Sequence, residues 1–204
     1  MLKIEKFRIP EGEIMQKVNE KASEALEKLR EGNRRYLQAD TACGDISRAV
    51  RLRTYENGQS PYAVIVACSD SRVIPEHIFS AGIGELFVIR TAGNVIGEHQ
   101  LGSIEYALEH LGCRLIVVLG HTCCGAVGAA MTGDPGGWVR IITQEIRQAI
   151  GTETDDYRAG CLNVEQGVQR ILQRLHISED DGPYVTGAMY HTDSGLVEFL
   201  PGSR

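Results

Sequence analysis

Two short stretches carry most of the chemistry that this sequence can offer. Residues 64–72, VIVACSDSR, run an apolar segment straight into a thiol, a carboxylate and a guanidinium: Cys68, Asp70 and Arg72. Residues 120–127, GHTCCGAV, place His121 and Cys124 three positions apart. At a strand-to-helix turn that spacing lets both side chains converge on one ion. Together with Cys68 they make two thiolates and an imidazole, a soft donor set suited to zinc at about 2.0–2.3 Å. Three protein ligands leave a fourth position open, which is the arrangement of a catalytic zinc rather than a structural one. Asp70 either takes that position or accepts a hydrogen bond from a bound water, and Arg72 can hold its carboxylate in a fork-like pair.

Each residue also has a plain alternative. A free cysteine at a strand end is commonly a core residue. His121 can cap a helix, and Asp70 can be an N-cap with Arg72 as its surface partner. What outweighs these is coincidence, since both clusters follow apolar runs and together complete a zinc set. Cys123-Cys124 is a vicinal pair, but adjacent cysteines form a strained disulfide and lack the C-x-x-C spacing of thiol oxidoreductases. Cys123 therefore reads as a packed bystander, and Cys43, Cys113 and Cys161 carry no partner pattern. The stretch TAGNVIG, residues 91–97, lacks both G-x-G-x-x-G spacing and a P-loop lysine, and reads as a tight turn.

The elements that must position these residues follow from periodicity. Tyr62–Ala67, Leu86–Ile89 and Arg114–Leu119 are continuous apolar runs rich in β-branched residues, the mark of strands buried on both faces. Gly120 is expected to end the third. Helices are expected at Ser103–Leu111, Ala126–Met131, Trp138–Ile150 and Leu162–Leu175, with a short one opening on Pro75-Glu76. Tyr184–Tyr190 and Leu196–Phe199 read as a hairpin turning through His191–Gly195. Residues 39–60 read as irregular, with one short helix. Ahead of all this, residues 14–38 form an amphipathic stretch with Ile14, Val18, Ala22, Ala25, Leu26 and Leu29 in register, either an arm or a core helix. Gly32-Asn33 is expected to kink or end it.

Strands alternating with helices predict an α/β domain. The expected sheet has four mostly parallel strands in the order 2-1-3-4, with an antiparallel C-terminal edge strand and helices on both faces. Residues 1–40 form an N-terminal helical arm of the same fold, and residues 41–204 the zinc-binding domain. In such sheets functional groups gather beyond the carboxyl ends of the strands, where strand order reverses. Cys68 and His121 both fall there.

The chain's 204 residues suffice for one domain with a sizeable core. A net charge of −6 argues against non-specific nucleic-acid binding, which needs a basic footprint. No stretch approaches the roughly 20 apolar residues of a membrane span. The opening MLKIEKFRIPEGE has no apolar run of signal-peptide length, so a cytoplasmic location and reduced thiols are expected.

CSDSR followed by GHTCCGAV resembles the β-class carbonic anhydrases, whose motif is C-x-D-x-R with H-x-x-C some fifty residues on. GNRRY (32–36), GQSPYAVIVACSDSRVIPEHIF (58–79), GELFVIRTAGN (84–94), GSIEYA (102–107) and YVTGAMYHTDSGLVEF (184–199) extend the likeness over about residues 25–200. The resemblance implies one zinc ion per subunit on Cys68, His121 and Cys124. It further implies reversible hydration of carbon dioxide to bicarbonate and a proton through zinc-bound hydroxide, with Asp70 and Arg72 as the catalytic dyad. Gln59, Phe87, Ala92, Tyr106 and Gly125 would contact substrate or wall its pocket, some of them from a neighbouring subunit. A homodimer or dimer of dimers is implied, with the N-terminal arm wrapping the partner. Ala92 stands where a bulkier valine is common, and Ile74-Pro75 fits the branch whose zinc position is open. Two thiolates should leave zinc a weaker Lewis acid than three imidazoles, with activity rising on the alkaline side. His77 and His99 are shuttle candidates by pKa. Alternatives are carbon disulfide or carbonyl sulfide hydrolysis on the same scaffold, or a weakly active bicarbonate-binding zinc protein.

Overall fold

The computed structural model describes residues 20–39, 41, 44–133, 135–177 and 182–201. Three apolar runs become strands as their composition dictates: β1 (Ala63–Ala67), β2 (Leu86–Arg90) and β3 (Leu115–His121). β4 (Tyr184–Tyr190) and β5 (Val197–Phe199) close the sheet. Its order is β2-β1-β3-β4-β5, parallel except for the last pair. The register sets Ala67 opposite both Arg90 and Leu119, so the tips of three strands finish side by side.

Alternation along β1 and β3 divides the core in two. Val64, Val66, Ile116 and Val118 face α4 (Glu98–His110) and α7 (Asp156–Arg174), packing on Leu101, Ile104, Val164 and Ile171. Ile65, Ala67, Val117 and Leu119 face α1 (Glu20–Gln38) and α3 (Pro75–Ile78), packing on Ala22, Leu29, Ile78 and Phe79. Every residue of β1 and β3 is buried, as expected of central parallel strands. A third cluster joins α5 (Gly125–Thr132) and α6 (Val139–Ile150) to Cys68 and Cys124. α2 (Arg48–Asn57) lies before β1, capped by the Ser47 hydroxyl accepting from the Val50 N–H. No helix among the described residues is long and apolar enough to cross a membrane.

Several expectations are corrected. Gly32-Asn33 neither kinks nor ends α1, which runs on to Gln38. Gly32 is required because a Cβ there would lie 1.9 Å from the Phe79 carbonyl oxygen. Asn33 is buried, donating to Ile78 O and Gly195 O and accepting from the Val197 N–H. The pair that reads as a breaker is a docking device that fastens α1 to the sheet. Gly120 does not end β3, which continues through His121. A Cβ at position 120 would meet Val164 Cγ2 at 2.5 Å and Met189 Sδ at 2.7 Å, so the glycine serves close packing. β2 is not buried on both faces: Leu86, Phe87 and Val88 are half-buried because the strand is the sheet's edge.

Two helices begin earlier than apolar periodicity suggests. α4 starts at Glu98, where Gln100 Oε1 accepts from the Gly97 N–H, and α7 starts at Asp156, where Asp155 accepts from the Arg158 N–H. Their polar first turns are held by caps rather than by burial. Residues 1–19 of the expected 1–40 arm, Ile14 and Val18 among them, and Cys43 lie outside the described residues. From Glu20 onward α1 is seated on this chain's own sheet through Ala22, Ala25 and Leu29.

Candidate metal centre

Each donor sits where an apolar strand has just run out of core. Cys68 follows the last residue of β1, His121 is the last residue of β3, and Cys124 is the N-cap of α5. The turn between them reverses through Cys123, whose φ of 56° lies in the left-handed region. The Cys68 and Cys124 sulfurs and an imidazole nitrogen of His121 lie within 4.8 Å of one another, and all three residues are buried. The separation that would have excluded a shared ion is therefore not present.

The histidine is already oriented. Its Nδ1 lies 3.0 Å from the Thr122 carbonyl oxygen, to which it donates, so the lone pair falls on Nε2. Nε2 is buried and has no hydrogen-bond partner. A buried nitrogen acceptor left unpaired among two sulfurs is what a metal ligand looks like without its metal. Donor set and orphaned nitrogen together fit a zinc ion.

Electrostatics divide the two thiols. A hydrogen bond from Cys124 is the chief cause that drives the Cys68 pKa down to about 4, overcoming burial, with His121 and the N–H groups of Asp70 and Gly93 adding to it. Those amides lie 3.4 Å and 3.2 Å from the sulfur. Cys124 moves the other way, pushed up by its bond to Cys68 and by burial. For His121, burial pulls the pKa down, but the Cys68 sulfur beside it gives a net rise.

Asp70 and Arg72 form the fork expected of them. Arg72 Nε donates to Asp70 Oδ1 at 3.0 Å and Nη2 to Oδ2 at 2.8 Å, and the Arg72 backbone N–H adds a third bond to Oδ1 at 2.9 Å. The Arg72 bond holds the Asp70 carboxyl far below the usual carboxylate range, against the opposing effect of burial. Arg72 is anchored in turn on the Cys123 carbonyl oxygen at 3.1 Å. Asp70 Oδ2 stands 3.9 Å from His121 Nε2, beside the cluster rather than within it.

The pocket residues are more scattered. Gly125 opens α5 directly after Cys124, and Ala92 opens the 3-10 turn Ala92–Asn94. Phe87 and Tyr106 pack together, ring centroids 6.2 Å apart, and line a cavity of about 480 Å³ with Glu98, His99, Gly102 and Ser103. None of the three donors lines that cavity. Gln59 is exposed between α2 and β1. His77 is exposed on α3. The five cysteines described are all free, and Cys123 is an exposed bystander rather than a packed one, because the left-handed turn carries its side chain outward.

Known proteins resolve what this arrangement is. The family model described as Carbonic anhydrase matches residues 63–197, which run from the start of β1 to the first residue of β5 and include Cys68, His121 and Cys124. The chain belongs to the β-class carbonic anhydrase family. Carbonic anhydrase 2 of Mycobacterium tuberculosis is 45% identical over 132 residues, covering 62% of this chain and 63% of that protein, a little under two thirds of its length. The carbonic anhydrase of Mycolicibacterium smegmatis is 36% identical over 189 residues, 85% of this chain and 91% of that one. Among solved structures, a β-carbonic anhydrase of Aspergillus fumigatus superposes with a TM-score of 0.66 at 27% identity, covering 89% of this chain and 91% of its own. One of two tetrameric β-carbonic anhydrases from Sordaria macrospora also gives 0.66, at 26% identity over 76% and 93%.

Two parts of this β-class centre escaped the sequence reading. Arg90, at the end of β2, donates from Nε to Cys68 O at 3.0 Å and from Nη2 to Asp70 O at 2.6 Å, tying down the loop that carries thiol and carboxylate. An arginine ending an apolar strand was the available signal. The 91–97 stretch is a turn as expected, yet Gly93 within it donates its N–H to Cys68. Its sequence looks ordinary because the work is done by backbone.

Proposed function

We propose that the protein catalyses the zinc-dependent, reversible hydration of carbon dioxide to bicarbonate and a proton. The single observation behind this is the buried Cys68–His121–Cys124 cluster with the Arg72-held Asp70 carboxylate beside it. Cys68, His121 and Cys124 would hold the zinc, which supplies the Lewis acidity that makes water a competent nucleophile near neutral pH.

The chain's own groups do the rest. Asp70 stays ionised and so remains an acceptor, orienting the attacking water by taking a hydrogen bond from it. Arg72 bonds both carboxylate oxygens and so would keep Asp70 from turning onto a bound metal. The Arg90 guanidinium fixes the backbone between Cys68 and Asp70, so thiolate and carboxylate keep their spacing. The apolar cluster around Val127, Ile146 and Ala159 excludes water from behind the sulfurs and strengthens each charge interaction there.

Ala92 and Gly125 are proposed to wall the substrate position from within the chain. Gln59, Phe87 and Tyr106 are proposed to act across a homodimer interface, because none of Cys68, His121 and Cys124 lines the Phe87–Tyr106 cavity. A cytoplasmic homodimer or dimer of dimers completes the reading. The test is stopped-flow carbon dioxide hydration on protein whose zinc has been counted. One zinc per chain with saturable hydration is expected. Full zinc without hydration would reject the catalytic reading, and protein unable to hold zinc would reject the ligand assignment.

A further inference from the structure

α7 carries a buried asparagine in an unusual place. Asn163 is 6% exposed, and an amide in a helix interior competes with the backbone unless it finds a partner. Its partner is Gly93: Asn163 Nδ2 donates to the Gly93 carbonyl oxygen at 2.9 Å. The N–H of that same glycine lies 3.2 Å from the Cys68 sulfur. Approach this close depends on small residues along the α7 face. A Cβ at Gly160 would meet Met189 Cε at 3.0 Å, and one at Gly167 would meet Val118 Cγ1 at 3.1 Å. Position 93 itself must be glycine, since φ is +66° and a Cβ would lie 2.7 Å from Ile146 Cδ1.

We infer that Asn163 is a positioning residue for the Cys68 ligand: by gripping the Gly93 carbonyl it keeps the Gly93 N–H on the sulfur and so sets how much charge that thiolate donates to the metal. This rests on the zinc reading of the cluster. An N–H donor withdraws electron density from a thiolate. Two thiolates would otherwise give a metal of low Lewis acidity, and the amides of Gly93 and Asp70 counter that. Groups that orient metal ligands in this way typically govern metal affinity by about 10- to 100-fold.

The experiment uses the full chain loaded with zinc, with cobalt(II) or with cadmium-113. Zinc affinity is measured by competition with a chromophoric chelator in wild type, Asn163→Asp and Asn163→Leu, each checked for cooperative melting. Asn163→Asp keeps the volume but replaces the donor with an acceptor facing a carbonyl. Both variants are expected to bind zinc about 10- to 100-fold more weakly and to shift the sulfur-to-cobalt charge-transfer band to longer wavelength. Unchanged affinity and an unchanged band in a folded variant overturn the inference. Scalar coupling between the Gly93 amide and cadmium-113 in wild type reads the N–H···S bond directly, and its absence overturns the inference without any variant. Failure of wild type to bind zinc is a different result, because it removes the proposed function itself.

Discussion

Cys68 and Cys113 are both buried cysteines beside central parallel strands, and the fold drives their thiols in opposite directions. Cys68 lies at the carboxyl end of β1 and meets a thiol proton, an imidazole and two backbone N–H groups, which bring its pKa to about 4. Cys113 lies just before β3 begins, at the amino ends of the strands. There it packs within the apolar cluster under α4 and α7, and its sulfur donates to the Pro61 carbonyl oxygen at 3.3 Å. Burial pushes its pKa up to about 11. Side-chain chemistry is the same in both; what differs is which end of the sheet receives it. The carboxyl ends open onto turns and a helix start that present N–H groups, whereas the amino end is sealed by packing. The site is thus a property of the sheet's polarity as much as of its residues.

The sharpest way to break that comparison is to remove one donor. Cys124→Ala should abolish stoichiometric zinc by metal analysis and reduce carbon dioxide hydration to background. Cys123→Ala should keep both, because only the backbone of residue 123 serves the site, through its carbonyl to Arg72 and its N–H to Asp156. Zinc loss in the second variant would move the ligand by one residue and undo the assignment. Next in size is Asp70→Asn. It should retain zinc, since Asp70 stands outside the donor cluster, yet lose about 100-fold or more in turnover. Near-normal turnover would take Asp70 out of the mechanism.

What could be read from the sequence follows the same division. The Cys68–His121–Cys124 cluster, the fork and the strands themselves were legible because apolar runs, metal-binding residue types and short spacings are local signals. Gly32-Asn33 and Gly120 misled for a common reason. Glycine looks like punctuation in sequence, but here each one marks a close approach between elements far apart in the chain. Arg90 and Asn163 act through backbone carbonyls of other segments, so no spacing rule points to them. The extent of β2's exposure was hidden too, since nothing in LFVIR distinguishes an edge strand from a central one.

A smaller effect is expected at the Phe87–Tyr106 cleft, which carries aromatic rings and His99 but none of the three residues of the Cys68–His121–Cys124 cluster. If it contributes to catalysis only through a second subunit, Tyr106→Ala should keep full zinc content. It should lower kcat/KM by about tenfold, the scale of a lost apolar contact, and weaken association in sedimentation analysis. Altered zinc content would tie the cleft to the carboxyl-end centre of its own chain.

The smallest effect belongs to Cys113, and its sign can be worked out. An unfolded thiol titrates near 8.5, whereas the folded Cys113 holds its proton until about 11. Below pH 8.5 both states are protonated and burial of the neutral thiol costs nothing extra. As pH rises toward 11 the unfolded chain gains by ionising and the folded one does not. Stability from this group is therefore intact at neutral pH and is lost through the alkaline window. Cys113→Val removes the titration along with the weak bond to Pro61. At pH 7 the variant should be less stable by about 1 kcal/mol, and since each pH unit of the window costs wild type about 1.4 kcal/mol, between pH 9 and 11 that lead should vanish and then reverse in urea melts. Parallel curves across that window would mean that Cys113 is not sealed from solvent, and the contrast between the two ends of the sheet would lose its basis.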